Sequence, residues 1–331
     1  MDNGFLNIIP TAFDLLTLFI CIGALACHLY VLPPIGGVLN SSVSEVLRVR
    51  IWYLLAAGVV ALTISSIIGL FMHSMETSDS PFSEIFSVLP LIILRTRYGH
   101  LWVVRLAALA ALWIGWWAGK RRLDSRAISV FMLSAGAVIA MSRSASGHAA
   151  DWGDLALPEL MDWLHLISGS VWGGGLIALS IVVLPKVIES SEQHWELIAY
   201  IARRFSRLAG IALGAVLITA TYNAWIQVGS FRAIWQTSYG RIIITKILLL
   251  LTLMILGASN RYIRIPLFHN PFLRKSDKSQ SIRRFVHTIW GEAVLIIFVV
   301  IFTSFLLHWV PARHYSHIGH GHNWSIYSES A

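Results

Sequence analysis

The chain has 331 residues, of which 56% are hydrophobic and only 13% charged. Soluble globular domains carry roughly 25% charged residues, so this composition excludes a pair of ordinary soluble domains, and the mean hydropathy of +0.69 agrees. Two cysteines, Cys21 and Cys27, exclude a disulfide framework and a Cys-rich zinc site. The net charge of +8 sits in short segments between apolar runs. That pattern belongs to membrane topology, so the partner it points to is a lipid bilayer and no nucleic acid is expected.

A helix needs about 20 apolar residues to cross the hydrocarbon core. Such runs occur at 11–32, 50–73, 99–118, 127–147, 160–184, 206–228, 240–258 and 288–309. The expected fold class is therefore all-α, a polytopic membrane bundle of about eight transmembrane helices. Residues 82–94 are apolar but short and contain Pro90, which predicts an interfacial helix rather than a ninth span. Arg48, Lys120, Arg121, Arg122, Arg126, Lys186, Arg203, Arg204, Arg207, Arg261, Arg264, Arg274, Lys275, Lys278, Arg283 and Arg284 fall in segments on one side of these spans. The other side holds fewer basic residues, among them Arg95, Arg97, Arg143, Arg232, Arg241 and Arg313. The positive-inside rule makes the first side cytoplasmic and puts both termini outside. The opening Met1-Asp2-Asn3-Gly4-Phe5 has no basic region of the kind a cleaved signal peptide carries.

The spans also repeat. Thr96-Arg97-Tyr98-Gly99 opens the third, with Arg105 following, and Thr237-Ser238-Tyr239-Gly240 opens the seventh, with Lys246 at the same distance. Asp14-Leu15-Leu16-Thr17-Leu18 in the first matches Asp162-Trp163-Leu164-His165-Leu166 in the fifth. Two parallel four-helix repeats are expected, 1–147 and 148–310, followed by a His-rich tail at 311–331. Arg105 and Lys246 lie about 9 Å inside their helix starts at the helical rise per residue. Two readings stand for them: snorkelling anchors, or charges that repel cations or balance an acidic group beside an outward cavity.

Histidine concentrates on the terminal side. His73, His100, His148, His165 and His308 sit at or near span ends, and His314, His317, His320 and His322 follow in the tail. Met72 and Met75 flank His73 on one helix face, and Met161 shares a face with His165. A lone interfacial His is ordinarily hydrogen-bonded structure, so the weight rests on the set. Imidazole suits copper in either valence, Cu(I) or Cu(II), and thioether selects Cu(I). The same histidines also fit a b-type haem, which needs a pair of axial His ligands.

Catalysis finds no support, since phosphate-loop, nucleophile-elbow and metalloprotease patterns are missing. Gly173-Gly174-Gly175 inside the fifth span predicts close helix packing or a hinge. Glu292 in the last span predicts a buried carboxylate paired with a polar group such as Asn260 or Arg261; a proton-coupled role stands beside that structural one. Cys21, His28, Asn223 and Gln227 offer an inward path, against which stands Cys21 as a small apolar residue of the core.

At this point the residues resemble a known family. His165-Leu166-Ile167-Ser168-Gly169-Ser170-Val171-Trp172-Gly173-Gly174-Gly175-Leu176 resembles the fifth-helix motif of the CopD family of bacterial copper-resistance and copper-uptake membrane proteins. Tyr239-Gly240-Arg241 through Lys246 to Gly257-Ala258-Ser259-Asn260-Arg261 is similar to its seventh-helix signature, Ser146-Gly147-His148-Ala149 to its fourth-helix end, and Glu292 to an acidic position in its last helix. The likeness covers most of the chain, best from 95 to 310. It implies a multi-pass inner-membrane protein that moves copper from periplasm to cytoplasm, often beside a small periplasmic copper-binding partner of the CopC kind. The tail goes beyond the family pattern. The expected copper ligands are Met72, His73, Met75, His100, His148, Met161, His165, His308, His314, His317, His320 and His322. A haem redox protein and a copper chaperone for a membrane enzyme remain the alternatives, and the oligomeric state is open.

Overall fold

The computed structural model describes residues 4–33, 41–78, 81–189, 195–228, 231–268 and 275–308. The described chain is helical. The first span is α1 (Gly4–Ala26), continued by a π-helical turn at Cys27–Val31. The second is α2 (Ser41–Ser78). A 3-10 turn at Phe82–Glu84 leads into α3 (Ile85–Arg95), followed by α4 (Arg97–Gly119) and α5 (Arg126–Ser144). The fifth span joins α6 (Leu157–Gly169), α7 (Gly175–Ala178) and α8 (Leu184–Glu189) through π turns at Ser170–Gly174 and Leu179–Val183. Beyond it lie α9 (Trp195–Val228), the short α10 (Phe231–Gln236), α11 (Ser238–Ser259), a π turn at Asn260–Arg264, α12 (Ile265–Leu267) and α13 (Lys275–His308). Among the described residues eight helices are long and apolar enough to cross a membrane, in the order the sequence predicts. The apolar segment with Pro90 forms α3, outside that set.

One expectation is refined. Arg48, Arg203, Arg204, Arg207, Arg283 and Arg284 were assigned to connecting segments, yet all lie within helices. A membrane core about 30 Å thick takes only about 20 residues at the helical rise, whereas α2 has 38 residues and α9 and α13 have 34 each. The surplus turns of all three project on the side opposite the termini, and the basic residues ride on them.

The first and fifth spans are the most enclosed, and the seventh the least. Leu15, Leu18, Ile22 and Leu25 of α1 are buried, as an all-round apolar helix must be if it occupies the middle of a bundle. The two inner spans meet backbone to backbone. A Cβ at Gly23 would stand 2.1 Å from the Gly174 carbonyl carbon, and one at Gly174 would stand 1.7 Å from the Phe19 oxygen. Hydrogen in place of a side chain is what lets the spans approach, so the glycine run is a packing seam. Tryptophans staple the periphery. Trp52 donates its indole N–H to the Trp116 carbonyl at 3.2 Å and Trp116 donates back to the Trp52 carbonyl at 3.2 Å, tying α2 to α4. Trp163 of α6 donates to the Ala137 carbonyl of α5 at 2.8 Å.

On the side opposite the termini, Arg48 donates to His28 Nε2 at 3.1 Å and to the Pro33 carbonyl at 2.9 Å, and pairs with Asp124 at 3.0 Å. Guanidinium is donor only, so His28 Nε2 accepts, and Nδ1 carries the proton toward Ser129 Oγ at 3.1 Å. Both nitrogens are engaged, which makes His28 a strut between α2 and α5. Cys21 and Cys27 are buried and reduced; the Cys21 sulfur fills the space over Gly58, and the Cys27 thiol donates to the Gly175 carbonyl at 3.6 Å. These contacts favour packing over an inward path along Cys21 and His28. Asn223 and Gln227 are also committed, to Asp162 at 3.4 Å and to the Tyr239 hydroxyl at 3.3 Å.

Candidate functional site

The polar chemistry on the terminal side begins with two carboxylates placed in apolar helices, Asp14 on α1 and Asp162 on α6. A charge inside a span needs a partner. For Asp14 the partner is Arg105 of α4, whose Nη2 donates to Asp14 Oδ1 at 2.5 Å while its Nε donates to Ser66 Oγ at 2.9 Å. Ser65 Oγ also donates to Asp14 Oδ1, at 2.8 Å. Both charged side chains are about nine-tenths buried. The snorkelling reading of Arg105 is therefore excluded, and the charge-balancing reading holds.

Local structure explains why α4 delivers Arg105 there. Thr96 caps the helix by accepting from the Gly99 N–H at 3.0 Å, with φ −110° and ψ 151°. Thr237 caps α11 in the same way, accepting from the Gly240 N–H at 3.0 Å with φ −107° and ψ 151°. The same cap launches both helices, so Arg105 and Lys246 enter the bundle at the same depth.

Around Asp162 the arrangement differs. Asp162 and His165 are three residues apart on α6, hence on one face, and both meet α9. Asn223 Nδ2 donates to Asp162 Oδ1 at 3.4 Å, and His165 Nδ1 lies 3.0 Å from Thr219 Oγ1. Thr219 spends its own hydroxyl proton on the Ala215 carbonyl at 2.7 Å. It therefore faces the imidazole as an acceptor, Nδ1 carries the ring proton, and Nε2 is left as the nitrogen with a lone pair. Orienting a ring by its other N–H is how proteins prepare a metal-binding histidine.

Arg143 of α5 lies between the two carboxylates, and its charge acts on Asp14, Asp162 and His73. Its Nε is buried without a hydrogen-bond partner among the described residues. Tyr98, Trp102, Arg105, Ser142 and Ser146 line a small cleft with it.

The expected ligands distribute over this frame. His73 stacks on Tyr98 with ring centroids 3.6 Å apart, and its Nε2 lies 3.3 Å from Thr77 Oγ1, beside the Arg143 group. Met72, Met75 and Met161 are half-buried. His100 is exposed and turned to the Leu94 carbonyl at 3.3 Å. His308 donates from Nδ1 to the Ser304 carbonyl at 2.9 Å, with Nε2 3.5 Å from Thr11 Oγ1. The His148 side chain and His314, His317, His320 and His322 lie outside the described residues. Among the described residues no group of three or more His, Cys, Asp and Glu side chains is arranged to hold a metal ion. Sequence reasoning used Asp14 and Asp162 as markers of the repeat but not as members of the site. The available signal was an acid inside an apolar run. Thr219 and Asn223 carried no such signal, because hydroxyls and amides are common in spans.

Glu292 sits apart, toward the other side. Asn260 Nδ2 donates to Glu292 Oε1 at 2.7 Å, and Arg264 donates to Asn260 Oδ1 at 2.6 Å. The expected Asn260 partnership is present, whereas Arg261 donates instead to the Ser206 carbonyl at 3.1 Å.

Fold and site together define a multi-pass helical membrane protein with ionic chemistry enclosed between its spans. Two family models match the chain, Copper resistance protein D over residues 199–306 and Copper resistance protein D-like, N-terminal domain over residues 3–156. The chain belongs to the copper resistance protein D family. It is 27% identical to the copper transport protein CutJ of Bacillus subtilis over 79% of this chain and 47% of that protein. It is 24% identical to copper resistance protein D of Pseudomonas syringae over 73% of this chain and 79% of that one. The inner membrane protein YebZ of Escherichia coli is 25% identical over 53% of this chain and 57% of its own length. The chain thus spans about half the length of CutJ. No solved structure matches it.

Proposed function

We propose that this protein carries copper inward across the bacterial inner membrane, both termini lying in the periplasm, through a His and Met site on the terminal side. The observation that carries the reading is His165, a ring held by Thr219 through Nδ1 so that Nε2 is left to bind. It lies within the motif that resembles the fifth helix of the family, four residues from Met161. Copper is the cargo, and soft thioethers with imidazoles suit it in the reduced state. His148 and Met161 complete the inner part of this site, Met72, His73, Met75 and His100 neighbour it, and His308 with the tail histidines gathers the ion or receives it from a CopC-like partner.

We further propose that the chain consists of two four-span repeats, 1–147 and 148–310, with the tail at 311–331. The support is the pair of matched Thr caps and the matched basic residues that follow them. The reading predicts lower cellular copper accumulation in His165→Ala and His148→Ala cells than in wild type, and weaker copper binding by the purified variants. Unchanged accumulation and binding overturn it. Unchanged accumulation with lost binding favours a copper chaperone, and a strong Soret band with stoichiometric iron favours a haem protein.

A further inference from the structure

The two halves differ where their matched residues ought to do the same thing. In the first, Asp14 is closed by Arg105 at 2.5 Å, and Thr17, at the position matching His165, turns its hydroxyl to the Asp14 backbone carbonyl at 2.9 Å. That carboxylate already has its cation hydrogen-bonded to it, and the Arg143 charge acts on it as well. In the second half, Lys246 stands where Arg105 stands, behind the same Thr cap. Yet Lys246 forms neither a hydrogen bond nor an ion pair among the described residues. Its charge acts across a gap on both Asp162 and His165. Asp162 has the long 3.4 Å contact with Asn223, lies beside Ser144, and feels the charge of Arg143 as well as that of Lys246. An acid and an imidazole nitrogen with a lone pair, both on one face of α6, thus stand near a loosely placed ammonium of α11, all three half-buried.

We propose that Asp162 is a further residue of the copper site and that Lys246 is its tethered counter-ion. This rests on the copper-carrying reading of His165. The ammonium balances Asp162 while the site is empty, and copper displaces it on seating between the carboxylate and His165 Nε2. A lone carboxylate in an apolar span is unfavourable, so exchanging one cation for another keeps the cluster near neutral throughout. Lysine suits the task because its point charge on a flexible stem leaves readily. Arginine's planar fork presents several donors in fixed geometry, and Arg105 uses one on Asp14 and another on Ser66. The first half is the locked form of the pair and the second the exchangeable form.

The test is Cu(I) affinity of the purified full-length protein in lipid nanodiscs, read anaerobically by competition with a chromophoric Cu(I) chelator. Removing the competing charge in Lys246→Met is expected to tighten binding by about tenfold or more, since a unit charge several ångströms away contributes on that scale at intermediate dielectric. Lys246→Arg, which copies the first half, is expected to weaken binding by about tenfold or more. Asp162→Asn removes the contrast, so Asp162→Asn/Lys246→Met binds no more tightly than Asp162→Asn. General disruption would move both Lys246 variants the same way. Shifts in the same direction, or no shift in either, overturn the proposal. If Lys246→Met does not fold, Lys246→Arg, which keeps the charge, decides the question by weakening or not weakening binding. His165→Ala separates the two readings: with binding lost there but both Lys246 variants at wild-type affinity, only the counter-ion inference falls. If His165→Ala itself binds as wild type, the copper site at His165 falls with it.

Discussion

Arg105→Met is the perturbation whose effect the structure specifies most fully. The guanidinium makes two hydrogen bonds in the bundle interior, to Asp14 at 2.5 Å and to Ser66 at 2.9 Å. Hydrogen bonds to charged groups contribute about 1.5–3 kcal/mol each, and breaking a buried ion pair by deleting one partner costs about 3–5 kcal/mol. The two routes agree on a loss near 3–5 kcal/mol, because Asp14 would keep only Ser65 as a donor. At about 1.4 kcal/mol per tenfold, that is more than a hundredfold in the folded-to-unfolded ratio. The assay is equilibrium unfolding in mixed micelles followed by intrinsic fluorescence, for which the 14 tryptophans give ample signal. The double variant Asp14→Leu/Arg105→Met is expected to recover most of the loss, since apolar replacement of a buried pair is often neutral or better. If Arg105→Met unfolds with the wild-type midpoint, or the double variant is as weak as the single one, the pair does not hold α1 to α4 as described.

Three further outcomes are expected. Thr219→Val keeps the shape but removes the acceptor from His165 Nδ1, and copper affinity should fall about 10- to 100-fold with fluorescence-monitored stability little changed. Gly174→Ala places a methyl where the Phe19 carbonyl already stands, and overpacking of that kind lowers stability by about 1–3 kcal/mol or more, visible as a reduced yield of folded protein and a lower Tm. Asn260→Ala leaves Glu292 buried without its amide donor, so a loss of about 1–3 kcal/mol is expected, and Asn260→Ala/Glu292→Leu should restore much of it in the same unfolding assay.

The spans were legible because about 20 consecutive apolar residues admit few other structures in lipid. The cap-and-charge pattern at Thr96 and Thr237 was legible as well, since a helix start needs an acceptor for its first N–H groups and Thr supplies it at a fixed spacing. What could not be read was depth of enclosure. Arg105 looked equally suited to reach back toward water, and only the placement of Asp14 and Ser66 on neighbouring helices decides that it does not. Helix length was hidden too, because polar turns beyond the hydrocarbon carry no apolar signal, and so the basic residues of α9 and α13 looked like loop. His28 illustrates the opposite case. A histidine and a cysteine seven residues apart suggested a route, but the long-range contacts to Arg48 and Ser129 turn the ring into a brace. Such pairings depend on which helices adjoin, and the chain alone does not state that.

The glycine seam has a mechanical consequence. Phe19 and Gly23 meet Gly174 near the middle of their spans with almost nothing between the two backbones. Sliding one span past the other along the membrane normal would drive Cβ-bearing neighbours into carbonyl groups within a single turn, so vertical displacement is blocked. Pivoting about the point where Gly23 and Gly174 meet drives no Cβ past a carbonyl. The seam is therefore a fulcrum with the Asp162 and His165 space at one end of the lever and the His28, Arg48 and Ser129 brace at the other. Any tilt that spreads the helices around Asp162 and His165 presses on that brace, and the brace sets the stiffness against such a tilt.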